Sequence, residues 1–136
     1  MIREIIWTDE YSVGVEAIDA QHRELTRLVN EIVTNQDDLI STGDLSKSFA
    51  KFLKLVKEHF QFEEKLLSEN NYPDYEKHLM EHNSYAEMIA EFIESANQGQ
   101  SHLVDHFILF LHGWWRHHVL EEDMKYKQFL NERDIR

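Results

Sequence analysis

No cysteine occurs among the 136 residues, so disulfide bonds, thiolate metal sites and cysteine nucleophiles are excluded. Basic residues are also scarce: 14 lysines and arginines stand against 26 acidic residues, and the formal net charge is −12 with neutral histidines. Such a charge repels phosphate groups and anionic lipids. We therefore expect neither a nucleic-acid partner nor a membrane partner.

Long hydrophobic runs are missing as well. The longest apolar run covers residues 107–111, and the first residues lack the apolar core of a signal peptide. We therefore expect a soluble, cytoplasmic protein. Eight phenylalanines, five tyrosines and three tryptophans exclude a disordered chain, and the length predicts a single domain over residues 1–136.

The spacing of apolar residues and turn signals predicts an all-α protein. The predicted helices cover about residues 17–39, 46–69, 74–97 and 102–130. Residues 1–16 are predicted to form an arm laid over the helices, because Ile6 and Trp7 need cover. A turn signal is present at residues 98–100. Short connections between long amphipathic helices predict an up-down-up-down four-helix bundle.

Each predicted helix carries a stripe of core-facing residues at steps of three and four. The stripes are Ile18, His22, Leu25, Val29 and Ile32; Phe49, Phe52, Val56, His59, Glu63 and Leu66; Tyr75, His78, His82, Tyr85, Ile89 and Phe92; and Val104, Phe107, Leu111, Trp114 and His118, continued by Tyr126 and Leu130. Histidine thus interrupts the stripe of every helix.

Two of these interruptions are pairs with a spacing of four residues, His59 with Glu63 and His78 with His82. Residues four apart lie on one face of a helix, so each pair can reach a common point. A turn signal at residues 70–74 separates the pairs, and a turn there would point both into one seam of the bundle. The pattern is typical of a metal site.

The number of donors favours two metal ions over one. Burying this many ionisable side chains without a shared cation would cost several kcal/mol. Four ligands saturate a tetrahedral zinc ion, whereas this chain offers five core histidines together with carboxylates. Imidazole with carboxylate and no thiolate suits iron, and it also suits manganese, zinc or copper.

Four motifs, in order along nearly the whole chain, resemble those of the hemerythrin family, specifically its single-domain bacterial members. The opening segment from Trp7 to His22 is similar to the start of that family, and residues 59–63 match its His-x-x-x-Glu motif. Residues 78–82 match His-x-x-x-His, and residues 114–123 resemble Trp-x-x-x-His-Ile-x-x-x-Asp.

The resemblance implies a di-iron centre with an oxo or hydroxo bridge. The implied ligands are His78, His82 and His118 on one iron, His22 and His59 on the other, and Glu63 and Asp123 bridging both. It further implies that the iron with two histidines keeps an open position, where dioxygen binds and is held as hydroperoxide.

The carboxylate of the fourth helix is ambiguous from spacing alone. Asp123 lies five residues after His118, which is about 140° around a regular α-helix, so Glu122 fits the geometry better. The resemblance favours Asp123, and we predict that Glu121 and Glu122 are solvated charges.

The remaining histidines are predicted to lie outside the ligand set. His118 continues the stripe from Trp114, whereas its neighbour His117 does not. The histidines that match no motif are predicted to be surface residues or neighbours of the ligands: His102, His106 and His112. Trp115 occupies a position that is more often aliphatic in the family that the sequence resembles. Its side chain either narrows the oxygen pocket or packs between helices.

The resemblance implies reversible dioxygen binding, for carriage, storage or delivery, and no enzymatic activity. A donor set with few carboxylates agrees with this, because extra anionic donors favour higher oxidation states and irreversible oxygen activation. The alternatives are sensing of oxygen or nitric oxide, an iron-binding module, and less favourably a di-iron oxidase or hydrolase. We expect no fused domain that would receive a signal, so a carrier is preferred to a sensor, and the sequence indicates no protein recipient of the oxygen.

Overall fold

The computed structural model describes residues 4–97 and 102–136. Its helices are α1 (Glu16–Thr42), α2 (Leu45–Glu69), α3 (Tyr75–Asn97), α4 (His102–His117) and α5 (Met124–Asn131), with a π-helical turn, His118–Glu122, between the last two and a short 3-10 helix at Asp9–Tyr11. The region predicted as one fourth helix is therefore α4, the π-helical turn and α5 in succession. No strand is present in the described ranges.

The helices pack as a four-helix bundle, which confirms the predicted fold class. Helix α1 contacts α2 and α4, and α3 contacts the same two helices. Gly43 ends α1 with a φ of 78°, a left-handed conformation that glycine adopts without the strain that a Cβ would add. The predicted turn at residues 98–100 lies outside the described residues.

The predicted stripes face the interior with few exceptions. On α1 every stripe residue is buried, and on α2 the exception is Leu66, which is half-buried while its neighbour Leu67 is fully buried. On α3 the aromatic members of the stripe are half-buried. The side chains of Val104 and Phe107 lie outside the described residues.

The N-terminal arm lies against α1, but it covers a different isoleucine from the one predicted. Two hydrogen bonds join the backbone of Ile5 to the Asn30 amide, at 2.7 and 2.8 Å. Ile5 is consequently buried, and because successive residues of an extended chain point in opposite directions, Ile6 points outward and is 77% exposed. Trp7 is half-buried, which agrees with the prediction that its side chain packs against the helices.

A buried carboxylate fixes the second half of the arm. Asp19 on α1 accepts hydrogen bonds from the Ser12 hydroxyl at 2.6 Å and from the Val13 amide at 2.9 Å. Val13 and Val15 then pack with Tyr126 and Leu130 of α5. The arm therefore ties the start of α1 to the end of the chain.

None of the helices in the described ranges is both long enough and apolar enough to cross a membrane.

Candidate metal centre

The structure brings the seven predicted ligands together inside the bundle. They are supplied by α1 (His22), by α2 (His59 and Glu63), by α3 (His78 and His82), and by the π-helical turn and the residue after it (His118 and Asp123). Each of these side chains belongs to a residue that is at most 5% exposed. The stripe pattern explains this for the six ligands other than Asp123, because each of them occupies a core-facing position of a stripe.

The ligand atoms form two groups that share both carboxylates. One group contains His22, His59, Glu63, His118 and Asp123; the other contains Glu63, His78, His82 and Asp123. Within each group one ligand atom per residue lies within 4.8 Å of all the others. Two adjoining groups with two common carboxylates suit a pair of metal ions bridged by those carboxylates.

Several imidazole nitrogens point at the same small volume. The Nε2 atom of His22 lies 3.0 Å from the Nε2 atom of His59 and 2.8 Å from Asp123 Oδ2. The Nε2 atoms of His78 and His82 both lie against Glu63 Oε1, the second at 3.2 Å. Opposed lone pairs of neutral imidazoles would repel each other unless a cation or a proton lay between them.

His118 stands between the two groups. Its ligand atom falls in the group of His22 and His59, with Nε2 3.1 Å from Asp123 Oδ2. Its ring centroid, however, is 5.6 Å from that of His82, against 6.4 Å from that of His22. The assignment of His118 to the iron of His78 and His82 stays a prediction.

The π-helical turn places Asp123 in the cluster. The Asp123 amide donates a hydrogen bond to the carbonyl of His118 at 2.9 Å, five residues back. A π-turn fits one more residue into the turn than an α-turn does, so the residue at i+5 lies under residue i. This local widening removes the conflict between spacing and resemblance in favour of Asp123.

Glu122 lies outside the ligand cluster but is not the solvated charge that we predicted. It is 9% exposed and accepts a hydrogen bond from Lys125 at 3.1 Å. A hydrogen bond with Glu81 holds the pKa of Glu122 below its ordinary value. Burial raises the pKa of Glu81, and the same hydrogen bond raises it further. Glu121 is exposed, as predicted.

The other histidines lie where they were predicted, as far as the structure describes them. His117 is exposed, with its Nδ1 atom 3.2 Å from a Glu121 carboxylate oxygen. His106 is exposed and His112 is half-buried. The side chain of His102 lies outside the described residues.

Neighbouring polar side chains orient the ligand rings. The Gln21 side-chain oxygen lies 2.7 Å from His59 Nδ1, which can donate to it and so leave Nε2 for a metal ion. A Glu64 oxygen lies 3.4 Å from His82 Nδ1 in the same manner. Phe60 stacks on the His82 ring, with 3.8 Å between centroids and an interplanar angle of 4°.

Tyr126 and Trp115 complete the surroundings of the cluster. The Tyr126 hydroxyl donates to Glu63 Oε2 at 2.9 Å from a fully buried position. The ring of Trp115 lies 5.5 Å from that of His22 and 6.4 Å from that of His59, and its Nε1 donates to the Thr26 hydroxyl at 2.7 Å. Trp115 therefore both borders the side of His22 and His59 and packs between helices.

Both carboxylates are held in their ionised form. Burial opposes ionisation of Glu63, yet hydrogen bonds from His59, His78 and His82 outweigh it and keep the pKa of Glu63 well below its ordinary value. Burial and the nearby charge of Glu63 oppose ionisation of Asp123, and the imidazoles of His118 and His22 lower its pKa nonetheless.

The histidines differ in their tendency to bind protons. Burial lowers the pKa of His22, and the hydrogen bond to Asp123 offsets this only in part. Burial also lowers the pKa of His82, but hydrogen bonds to Glu63 and Glu64 outweigh burial and raise this pKa to about 9. Because the pKa of His78 is raised as well, the histidines of α3 bind protons more readily than His22.

The unpaired polar atoms of the cluster fit a metal pair. Both side-chain nitrogens of His82 and of His118 and both oxygens of Asp123 are buried, and the polar contacts that they make with one another and with Glu63 and Glu64 are too poorly aligned to satisfy them fully. Buried polar groups are rarely left in this state, because each costs about 1–3 kcal/mol. Iron ligated by imidazole and carboxylate would satisfy the inward-facing atoms together, so the donor set fits the cation predicted from sequence.

Sequence reasoning missed three residues that support the ligands, Gln21, Glu64 and Tyr126. It also missed Thr26, which accepts a hydrogen bond from Trp115 beside the cluster. Gln21 and Glu64 are next to His22 and Glu63 in the chain, so adjacency to a ligand was the signal available for them. Tyr126 follows Asp123 by three residues and belongs to the stripe, which predicted its burial but not its hydrogen bond.

Comparison with known proteins agrees with this geometry. The sequence model of the family described as the hemerythrin HHE cation binding domain matches residues 13–130. That range contains all seven residues of the cluster.

Curated relatives match over nearly the same length. A bacteriohemerythrin of Clostridium acetobutylicum is 26% identical over 125 residues, which cover 89% of this chain and 97% of the relative. A myohemerythrin of Riftia pachyptila is 25% identical and a hemerythrin-like protein of Naegleria gruberi 28% identical, each covering at least 90% of both chains. Because the family model covers most of the sequence, this chain belongs to the hemerythrin family.

Proposed function

We propose that this protein binds dioxygen reversibly at a di-iron centre and serves in its carriage, storage or delivery. Membership of the family implies a non-haem iron centre in an oxygen-binding domain. The observation that supports the proposal most directly is the pair of ligand groups sharing Glu63 and Asp123. The proposed division is the predicted one: His78, His82 and His118 on one iron, His22 and His59 on the other, with both carboxylates bridging.

The charge of the ligand set supports release of intact dioxygen. When bound, two ferrous ions would supply a reversible exchange of two electrons with dioxygen. The chain contributes two carboxylates and five imidazoles, so the four positive charges of those ions are only partly offset. Further carboxylates would stabilise higher oxidation states and favour irreversible oxidation. The proposed role is therefore binding and not turnover.

Aromatic side chains exclude water from the cluster. Trp114 and Trp115 lie with ring centroids 5.5 and 5.8 Å from that of His118, and both are at most 6% exposed. Phe60 stacks on the His82 ring, and its own ring centroid lies 5.4 Å from that of His118. A dry site limits the entry of protons and anions that would carry oxidising equivalents away.

Anaerobic iron loading followed by cycles of air and vacuum tests the proposal. A reversible carrier should develop a visible absorption band in air, lose it under vacuum and regain it over several cycles. An irreversible bleaching in the first cycle would indicate an oxidase, and a solution that stays colourless would indicate a hydrolase or a purely structural metal site. Either of these results would contradict the proposed function.

A further inference from the structure

A groove on the surface between α1 and α2 leads to the proposed metal centre. Its volume is about 260 Å³, and its floor includes the side chains of Leu25 and His59. Ala20 and Leu55 contribute to its walls. The groove is partly open to solvent, and its inner end is formed by a lining residue that is a candidate ligand, His59, whose ring is buried.

The inner end of the groove is closed by side chains alone. Gln21 lines it and, 2.7 Å from His59 Nδ1, holds the imidazole in place. Behind the His59 ring lie the Nε2 atom of His22 and the ring of Trp115. Leu25 and His59 are both buried, so passage between them toward the centre requires rotation of their side chains.

The rim of the groove carries balanced charges. Glu24 on one side is paired with Arg27 at 2.7 Å, and Glu58 on the other side lies 4.0 Å from Lys54. Such a rim attracts neither anions nor cations strongly. Because the walls are mainly apolar, an ion would have to lose its water to pass, whereas a small uncharged molecule would not.

A second cavity reaches a ligand but is unsuited to gas entry. It adjoins His78, has a volume of about 20 Å³, and is lined by the charged groups of Glu81, Glu122 and Lys125. A volume of this size holds about one water molecule in a polar setting. Of these two cavities, the groove at His59 is both larger and more apolar.

We propose that the groove between α1 and α2 is the entrance through which a small uncharged diatomic molecule reaches the side of the centre formed by His22 and His59. This inference rests on the proposed function for the identity of the molecule, dioxygen. An entrance affects only the barrier between solvent and site. A change there must alter association and dissociation rate constants by the same factor and leave the equilibrium affinity unchanged.

Ala20→Phe tests the entrance in the full, iron-loaded chain. Ala20 is exposed and small, so a phenyl ring at this position can fill the groove without disturbing the core. We expect both rate constants for dioxygen to fall by roughly tenfold, with the dissociation constant unchanged within about twofold. Ala20→Leu should give a smaller effect of the same kind. Ala50→Phe, at an exposed alanine of α2 outside the groove, is the matched control and should leave both rates unchanged.

Xenon binding provides a measurement that does not depend on oxygen chemistry. Crystals of the full chain under xenon pressure should show xenon in the groove, and those of the Ala20→Phe variant should not, because apolar cavities accessible to gases take up xenon. Xenon in the groove without reversible oxygen binding would support the entrance and contradict the proposed function. Absence of xenon from the groove, unchanged rates in Ala20→Phe, or a change in the dissociation rate alone would overturn the entrance.

Discussion

Glu63 is the side chain that links the two ligand groups most closely. Its Oε1 atom lies against His78 and His82, while its Oε2 atom lies 3.1 Å from His59 Nε2 and 2.9 Å from the Tyr126 hydroxyl. A carboxylate with one oxygen toward each group has the geometry of a bridge between two cations. The i, i+4 spacing from His59 predicted its position, and the hydrogen bond from Tyr126 now explains its orientation.

Glu63→Ala should abolish binuclear loading, because neither group keeps a complete donor set without the shared carboxylate. We expect at most one iron per chain by elemental analysis after anaerobic reconstitution, against two for the unchanged chain. Glu69→Ala, at the exposed end of the same helix, is the control and should load normally. Two irons per chain in the Glu63→Ala variant would refute the bridging role.

Thr26→Val should destabilise the protein through Trp115. The Thr26 hydroxyl is the acceptor for Trp115 Nε1, and valine would leave that donor buried without a partner. We expect a loss of about 1–3 kcal/mol in the free energy of unfolding, measured by urea denaturation. Thr34→Val removes a hydroxyl from an exposed position of the same helix and should cost less. Equal losses in the two variants would contradict a structural role for this hydrogen bond.

Hydrogen bonds between side chains that are far apart in the chain could not be predicted from the sequence. The bond between Trp115 and Thr26 joins positions 89 residues apart in the chain, and that between Tyr126 and Glu63 joins positions 63 apart. Apolar periodicity predicts which face of a helix is buried. It carries no information on which donor meets which acceptor across the core.

At the scale of elements, the π-helical turn determines which carboxylate enters the cluster. In a regular helix Glu122 would lie under His118, and the buried cluster would contain a different acid. The structure instead gives the inward position to Asp123, and Glu122 pairs with Lys125 at the edge of the bundle. The turn also keeps Tyr126 and Leu130 facing the core, since both are fully buried.

A deletion and an insertion in this turn test its role. Because a π-turn is an α-turn with one extra residue, deletion of the exposed Glu121 should restore a regular helix and leave Asp123 facing the cluster. An alanine inserted after Glu121 should rotate Asp123 and all later residues by about 100°. We expect the deletion variant to load two irons and the insertion variant to load one or none, with helix content by circular dichroism similar in both. Loss of iron in a folded deletion variant would mean that the wide turn itself is required.

The sequence predicted which face of each helix points inward better than it predicted where a helix is interrupted. The stripes placed His22, His59 and His82 on the inward faces, because burial of an apolar stripe leaves little freedom in the orientation of a helix. The π-helical turn left no trace in the stripe, which has no apolar member between His118 and Tyr126. The only sign of this turn in the sequence was the resemblance to the hemerythrin family, whose motif has an acidic residue five positions after the histidine that corresponds to His118.

The arm shows a similar limit. The presence of Trp7 and several aliphatic residues predicted that the arm lies on the bundle, as observed. Which isoleucine points inward depends on the hydrogen bonds between Ile5 and Asn30, and these became visible only in the folded structure.

At the scale of the whole molecule, the cluster couples stability to pH in the metal-free protein. Burial lowers the pKa of His82, but hydrogen bonds to Glu63 and Glu64 raise it from the ordinary 6.5 to about 9. A pKa raised by folding contributes stability that is complete below pH 6.5 and is lost as pH rises toward about 9.

We therefore expect the free energy of unfolding of the metal-free chain to fall between pH 6.5 and 9, as measured by urea denaturation at successive pH values. His82→Gln should flatten the curve over this interval. Because a metal ion binds the deprotonated imidazole, iron loading should become stronger over the same interval. A flat curve for the unchanged chain would contradict the assignment of a raised pKa to His82.

The bundle, the candidate ligands and the family were all accessible from the sequence, because one residue pattern encodes them. A histidine in the core-facing stripe of every helix is uncommon, and a metal centre shared by the four helices explains it. The physiological role is not encoded in this way, since carriage and sensing can use the same ligands, and the relatives match the chain at only 22–28% identity. The route of entry for dioxygen likewise depends on how α1 and α2 pack.

The central claim is that imidazoles and carboxylates from every part of the bundle bind two iron ions in one chain. The direct test is elemental analysis of the full chain, reconstituted anaerobically with ferrous iron and freed of excess metal. The account predicts two irons per chain. One iron or none per folded chain would contradict it.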